Sequence, residues 1–296
     1  MKVAIIGGGG NMGRWLSRYL LSEGMQVVIS GRNQEKLQSA ALELGIPAVS
    51  GTEAVRQADV VVISVPVDSF EAVVKEIAPH VKKDQVVIDV CSLKTMPVEV
   101  MHRHIKRGTV LGTHPVFGPG AKSLANQNFV LTPTSEGEWK LADKVKAHLE
   151  GKGANVSVMS PPEHDVIMSV VLGLAHFIAI VSADTLLSFE KFTEMKKIGG
   201  TTFKLLYTLV ESVLSEDPQL YATLQVNFPD MAKVEGLFQK NTVFWAEMVG
   251  NKDREGFAWR MAALRDKLEK TDPSFRRAYE NMYKITEGLA ETSNGH

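Results

Sequence analysis

The chain of 296 residues contains a single cysteine, Cys91, and aromatic residues make up only 7% of it. One thiol cannot close an internal disulfide or build a thiolate metal cluster, so the fold must be held by its apolar core. An excess of either charge is also missing: 33 Lys and Arg against 34 Asp and Glu give a formal net charge of −1. So even a balance supplies no field that steers a protein onto nucleic acid or an anionic membrane. No pair of histidines has the spacing of a helical metal motif, and no metal is expected. The N-terminus runs from a short strand-like segment straight into glycines, without the long apolar stretch of a signal peptide. Together with the lone cysteine this points to a reducing, cytoplasmic setting. The longest apolar run, Val166 to Leu187, is interrupted by His176, Ser182 and Asp184. It reads as a buried helix, not a membrane span.

Hydrophobic residues at 44% and charged residues at 23% are ordinary for a globular protein, and the length suits two domains. The apolar run from Lys2 to Gly7 suits a buried parallel strand. It leads into seven residues, Gly7 to Gly13, in which Gly8, Gly10 and Gly13 satisfy G-x-G-x-x-G, with Asn11 and Met12 between. Helical periodicity follows from Arg14 to Glu23, Gly24 is a C-cap, and Gln26 to Ser30 is a second strand. In such a strand–loop–helix unit the first glycine permits the turn and the second lets a pyrophosphate approach the backbone. The third allows helix and strand to pack closely, and the pyrophosphate rests on the positive end of the helix. An acidic residue after the second strand would hold the ribose 2′-hydroxyl of NAD. Here Ser30, Gly31 and Arg32 stand instead, with Lys36 one turn further on. That combination favours the 2′-phosphate of NADP, with NAD still possible.

Further strands fall at Ala58 to Pro66, Gln85 to Val90, Thr109 to Thr113, Asn128 to Thr132 and Asn155 to Met159. Helical segments fall at Asp68 to Ile77 and Glu136 to Glu150. The alternation predicts a doubly wound, mostly parallel sheet, a Rossmann-type domain spanning residues 1–160. Ligands of such sheets lie at the carboxyl ends of the strands, which places Val65, Pro66, the Asp89–Lys94 segment and His114 at the mouth of the site. Beyond Ser160 the strand pattern stops. A long helix from Glu163 to Phe189, kinked at Gly173 and capped by Ser160, is followed by helices near 201–214, 218–226, 229–249, 254–271 and 273–291. Residues 161–296 thus form an all-helical domain, apolar enough to pack against a second copy of itself.

Three segments carry candidate chemistry. At one strand end, Ser92 can hydrogen-bond a substrate hydroxyl or a carboxamide, and Lys94 can neutralise a carboxylate, or both can be turn and surface residues. Cys91, with no histidine partner beside it, reads as a buried filler. At the next strand end, His114 precedes the rigid segment Pro115 to Gly120, so its imidazole is held in place and suited to general-base work. The third segment is the long helix, with His164 and His176 about 18 Å apart along its axis, too far for one metal site. His176 sits in apolar surroundings and either meets a core partner or points into a cleft. His164 reads as structural, bonding near the helix cap.

As an ordered set, these motifs resemble the prephenate/arogenate dehydrogenase family of tyrosine biosynthesis: Gly7–Gly13, Asp89–Lys94, His114–Gly118, Glu163–Asp165, Leu174–Phe177 and Asp217–Tyr221. The resemblance covers nearly the whole chain. It implies a Rossmann domain followed by a helical dimerisation domain, and oxidation of a cyclohexadiene that carries a ring hydroxyl. Hydride passes to NAD(P)+, carbon dioxide leaves and a phenol forms. It further implies that His114 is the base on the ring hydroxyl. Ser92 would orient that hydroxyl and the cofactor, and His176 would line the substrate pocket. The family usually carries an arginine in the second domain that grips a substrate carboxylate. Counted back from Asp217–Tyr221, that position falls on Lys204, which lacks the planar bidentate fork. Arogenate is therefore an alternative to prephenate. Other readings are a dehydrogenase of another small acid and a non-catalytic dinucleotide sensor. The chain stops soon after Glu291, so a C-terminal regulatory domain is not expected.

Overall fold

The computed structural model describes residues 1–293. Seven strands form one sheet: β1 (Lys2–Ile6), β2 (Gln26–Ser30), β3 (Val60–Ile63), β4 (Val86–Asp89), β5 (Thr109–Pro115), β6 (Asn128–Thr132) and β7 (Asn155–Val158). Their order across the sheet is β2-β1-β3-β4-β5-β6-β7. All neighbouring pairs are parallel except β5 with β6. That exception follows from the connection: the loop from Val116 to Gln127 carries no crossover helix, so the chain returns in the opposite direction.

The helices on the sheet are α1 (Asn11–Ser22), α2 (Gln34–Leu44), α3 (Gly51–Gln57), α4 (Val67–Ile77), α5 (Thr95–His104), α6 (Glu136–Gly151) and α7 (Pro161–Met168). Strand alternation sorts the core onto two faces. Ala4, Ile6, Val28, Val61 and Ile63 pack with Phe70, Val74 and Ile77 of α4. Val3, Ile5, Val27, Ile29 and Val62 pack with Leu37 and Ala40 of α2. The doubly wound, mostly parallel sheet predicted from the alternation is therefore present. α2, α3 and α5 lie in segments to which the periodicity assigned no helix.

Contacts divide the chain into two compact units. The first is Met1–Met168 with Val226–Phe228; the second is Ser169–Gln225 with the residues from Pro229 on. The division thus falls one helix later than the 160/161 boundary expected from the sequence. α7 stays with the sheet because His164 and Asp165 on it are buried against the segment that follows β4.

The second unit begins with a π-helical turn, Ser169–Leu174, which continues into α8 (Ala175–Leu187). Gly173, where the sequence predicts a kink, lies within this π-helical turn. α9 (Phe192–Ile198), α10 (Thr201–Leu214), α11 (Pro218–Asn227), α12 (Met231–Gly250), α13 (Arg254–Thr271) and α14 (Ala278–Ser293) follow. Ala179, Ala183, Val210, Val213 and Met231 are buried, but many large apolar side chains are not. The stretch Pro161–Leu187 is long and apolar enough to cross a membrane by length and composition, and only 28% of its most apolar window is buried in the chain. The reading of this run as a buried helix thus holds for a minority of its surface within one chain.

Candidate active site

The turn after β1 is made by Gly7, whose φ is +95°, and a Cβ there would lie 2.0 Å from the Ser64 carbonyl oxygen. A Cβ at Gly8 would meet the Ile29 side chain at 2.5 Å, and one at Gly13 would meet the Gly7 carbonyl oxygen at 2.4 Å. The left-handed residue is thus Gly7, ahead of the three-glycine motif. Gly8 and Gly13 are small because backbone and strand pack against them. Gly10 differs: its nearest neighbour would be the Gly7 oxygen at 3.4 Å, so its outer side is open. Gly10 is also the N-cap of α1 and supplies no side-chain cap, which leaves the first amides of the helix, from Asn11 and Met12 on, available to an anion. Val65 and Pro66 follow β3, half-buried and exposed respectively. The cradle fits a dinucleotide pyrophosphate: close packing where the motif demands it, open space where the ligand approaches.

At the end of β2, the Ser30 carbonyl accepts the N–H groups of Gly7 and Gly8 at 2.7 and 2.9 Å, and Ser30 itself is buried. Arg32 is exposed and makes no ion pair among the described residues. Asn33 caps α2 by accepting the Lys36 N–H at 2.9 Å, and Lys36 is exposed on the first turn. The segment after β2 therefore carries the exposed cations Arg32 and Lys36 with Glu35 between them, and no acid directly after the strand.

The segment after β4 is organised by a buried ion pair. Lys94 Nζ donates to Asp89 Oδ1 and to the Thr113 carbonyl, and both Lys94 and Asp89 are fully buried. Asp89 Oδ1 also accepts the Cys91 N–H at 2.9 Å, and the Asp89 carbonyl accepts the Thr113 hydroxyl at 2.6 Å. Burial pushes the Asp89 carboxyl upward, with Lys94 pulling it back. Lys94 is therefore an internal cation locked to its own strand end, and the expectation that it meets a substrate carboxylate is corrected: its ammonium is already committed to Asp89. Cys91 is buried, and burial with the Asp89 charge pushes its thiol upward, as suits a filler. Ser92 between them is half-buried, and its hydroxyl makes no hydrogen bond among the described residues.

His114 lies near the end of β5 and is 3% exposed. Its Nδ1 is 2.9 Å from Nε2 of His164, and Nδ1 of His164 is 2.8 Å from Oδ1 of Asp165. Asp165 accepts backbone N–H groups at both oxygens, from Lys94 at 2.8 Å and Thr95 at 2.9 Å. It thereby closes the N-terminus of α5, whose N-cap Lys94 offers no side-chain cap. Burial, His164 and Lys94 hold His114 well below the ordinary imidazole value of 6.5. Burial also lowers His164, although Asp165 opposes it. Burial raises Asp165, but hydrogen bonds from His164, Thr95 and Lys94 outweigh that and leave it lowered. The motif reading took His164 for a cap-bonding structural residue; its ring instead bridges His114 and a carboxylate. The adjacent Glu163–His164–Asp165 triplet was the available signal, but its partner on β5 is 50 residues away.

In the second unit, His176 on α8 stacks edge-on against Tyr221 of α11 with ring centroids 4.8 Å apart. Its Nδ1 is buried without a hydrogen-bond partner among the described residues, and burial lowers its pKa. Gln225 Nε2 donates to the Gly173 carbonyl of the π-turn at 3.0 Å, while Gln225 Oε1 is buried and unpartnered. Lys204 is exposed on α10. Ser92, Lys94 and His114 thus lie in the first unit, and His176 and Lys204 in the second.

Fold and site define a class: a dinucleotide-binding α/β domain joined to a helical domain. Residues 16–158 match the prephenate dehydrogenase nucleotide-binding domain and residues 160–263 match the prephenate dehydrogenase dimerization domain. The chain belongs to the prephenate dehydrogenase family of NAD(P)-dependent oxidoreductases. It is 36% identical over 263 residues to a probable arogenate/prephenate dehydrogenase of Methanocaldococcus jannaschii, covering 87% of this chain and 58% of that protein. It is 25% identical over 276 residues to the T-protein of Haemophilus influenzae, covering 90% of this chain and 66% of the relative. The chain therefore spans less than two thirds of the length of these relatives. The prephenate dehydrogenase of A. aeolicus, solved with hydroxyphenyl propionate and NAD+, shares the fold with a TM-score of 0.75 and 24% identity, over 92% of this chain and 98% of that one.

Proposed function

We propose that the protein is a cytoplasmic, homodimeric prephenate dehydrogenase that oxidatively decarboxylates prephenate to 4-hydroxyphenylpyruvate. The observation that carries this reading is His114: a buried, uncharged imidazole at a strand end, whose Nε2 makes no hydrogen bond among the described residues. Such a group can accept a proton from a ring hydroxyl. The electron pair left on that oxygen favours departure of hydride from its carbon, and loss of the ring carboxylate as carbon dioxide makes the product aromatic. When bound, the nicotinamide supplies the hydride acceptor. Gly8, Gly10, Gly13 and the first amides of α1 would hold the pyrophosphate, and Val65 and Pro66 would flank the dinucleotide. Ser92 would orient the hydroxyl. His176 would contact the ring's substituents from the helical unit, and Lys204 would pair with a carboxylate. Arg32 with Ser30 would hold the 2′-phosphate of NADP, which is the preferred cofactor in this reading, with NAD as the weaker one.

A second reading, arogenate as substrate, is favoured by Lys204. A lysine holds a carboxylate as a point charge, without the bidentate selection that an arginine imposes. Purified protein with prephenate or arogenate and NAD+ or NADP+ decides between them through the appearance of reduced nicotinamide. Turnover is expected with prephenate and fastest with NADP+. Faster turnover of arogenate replaces the first reading with the second, and no turnover in any of the four pairings refutes both.

A further inference from the structure

We infer that His164 and Asp165 are positioning residues that fix the tautomer of His114 and leave its Nε2 lone pair facing the substrate hydroxyl. The inference rests on the base role proposed for His114 but is carried by the hydrogen-bond chain itself. Asp165 is acceptor-only when ionised, and its two oxygens already take the N–H groups of Lys94 and Thr95. Facing that carboxylate at 2.8 Å, His164 Nδ1 must be the protonated nitrogen. A neutral His164 then has only a lone pair at Nε2, so His114 Nδ1, 2.9 Å away, must carry the hydrogen of that contact. A neutral His114 with hydrogen on Nδ1 is bare at Nε2. One carboxylate thus sets the direction of two successive hydrogen bonds, and the opposite arrangement at His114 would set two lone pairs against each other.

The charges around the chain support this direction. His164 is fully buried, and Asp165 and His114 are each 3% exposed, so water does not compete for these bonds. The Lys94 ammonium faces both imidazoles from the end of β4 and opposes their protonation, and Asp89 holds that ammonium. Cys91, beside Asp89, is held as the neutral thiol. When the substrate hydroxyl gives its proton to Nε2, His114 becomes an imidazolium whose Nδ1–H still points at His164, and the Asp165 carboxylate stabilises the new charge through one intervening ring. Asp165 stays ionised throughout; no proton needs to travel along the chain.

The test uses the full-length protein and two substitutions of one residue. His164→Leu removes both bonds, whereas His164→Gln presents an amide oxygen to His114 and an amide N–H to Asp165. Nitrogen NMR of histidine-labelled protein without substrate is expected to show His114 protonated at Nδ1 in the native and Gln forms. A mixture of tautomers is expected in the Leu form. With substrate, His164→Leu is expected to lower kcat by about 10- to 100-fold at unchanged cofactor affinity. His164→Gln is expected to retain most of the activity. A native His114 protonated at Nε2, or equal losses in the Leu and Gln forms, overturns the inference. The tautomer measurement needs no turnover, so it separates this inference from the base role, which fails instead if His114→Asn keeps its kcat.

Discussion

Burial, the neighbouring His164 and the Lys94 ammonium all act on His114 in one direction, away from the imidazolium. His164 and His176 are displaced the same way, chiefly by burial. As pH falls, the unfolded chain therefore takes up protons at the ordinary value of 6.5 before the folded protein does. The contribution of these histidines to stability is whole above that value and is lost below it. Asp165 is displaced downward as well, so its contribution is present above the ordinary carboxylate value and is lost only as pH falls through its lowered one. A thermal melt is expected to hold its midpoint from pH 8 to about 7 and to lose several degrees by about pH 5. The acidic limb of kcat/KM is expected below pH 6.5, and a limb centred above it would show that His114 is not held neutral. Arg32 makes a separate prediction: Arg32→Ala should weaken NADP+ by about 10-fold or more and leave NAD+ within about 2-fold, since only NADP offers a 2′-phosphate. Equal losses for the two cofactors, read by titration, would remove Arg32 from the phosphate site. The placement of Ser92 just after β4 and of His114 near the end of β5 was legible from the strand alternation, and strand ends of an α/β sheet are where ligands lie. The role of His164 was not legible, because its partner His114 comes from a strand 50 residues away, and that of Lys94 was hidden because full burial, which spacing does not reveal, commits its ammonium to Asp89 and the Thr113 carbonyl.

The glycine loop shows what an element demands of single positions. Gly13→Ala would drive a Cβ to 2.4 Å from the Gly7 carbonyl, a backbone atom that cannot step aside. A cost of about 1–3 kcal/mol is expected, read as a lower melting temperature of the cofactor-free protein. Gly10→Ala meets only the Gly7 oxygen at 3.4 Å, so the fold should melt nearly unchanged while dinucleotide affinity drops, because the methyl enters the open side. If both variants lost stability equally, the open side of Gly10 would not be the ligand's approach. At this scale strongly periodic segments were readable to the residue: β2, β6 and α10 begin and end where the pattern placed them. Short or polar helices such as α3, seven residues with Ala54 and Val55 buried, carry too little periodicity to be seen. The reversal of β6 was equally hidden, since it depends on the absence of a helix in the preceding loop and not on any pattern within the strand.

The whole molecule leaves one physical demand unmet within a single chain. Val166, Ile167, Val170, Val171 and Val181 lie 38–50% exposed along one apolar stretch, and Leu237, Val243 and Phe244 add to the uncovered surface of the helical unit. Isolated exposed apolar residues are common, but a run this dense marks a surface that another body covers. A second copy of the chain answers the demand in the proposed reading, consistent with the match of residues 160–263 to a dimerization domain. A stable pairing of this kind buries roughly 1,200–2,000 Å² or more and makes the melting temperature depend on protein concentration. Light scattering after size exclusion is expected to give twice the chain mass of 32.5 kDa without detergent. The double substitution Val170→Asp with Val171→Asp places two charges in the uncovered stretch and is expected to shift the population toward monomer, lowering the melting temperature and removing its concentration dependence. A native monomer would show that the surface is covered by something else. A protein that sediments with membranes and needs detergent to leave them would assign the stretch from Pro161 to Leu187 to a lipid environment instead.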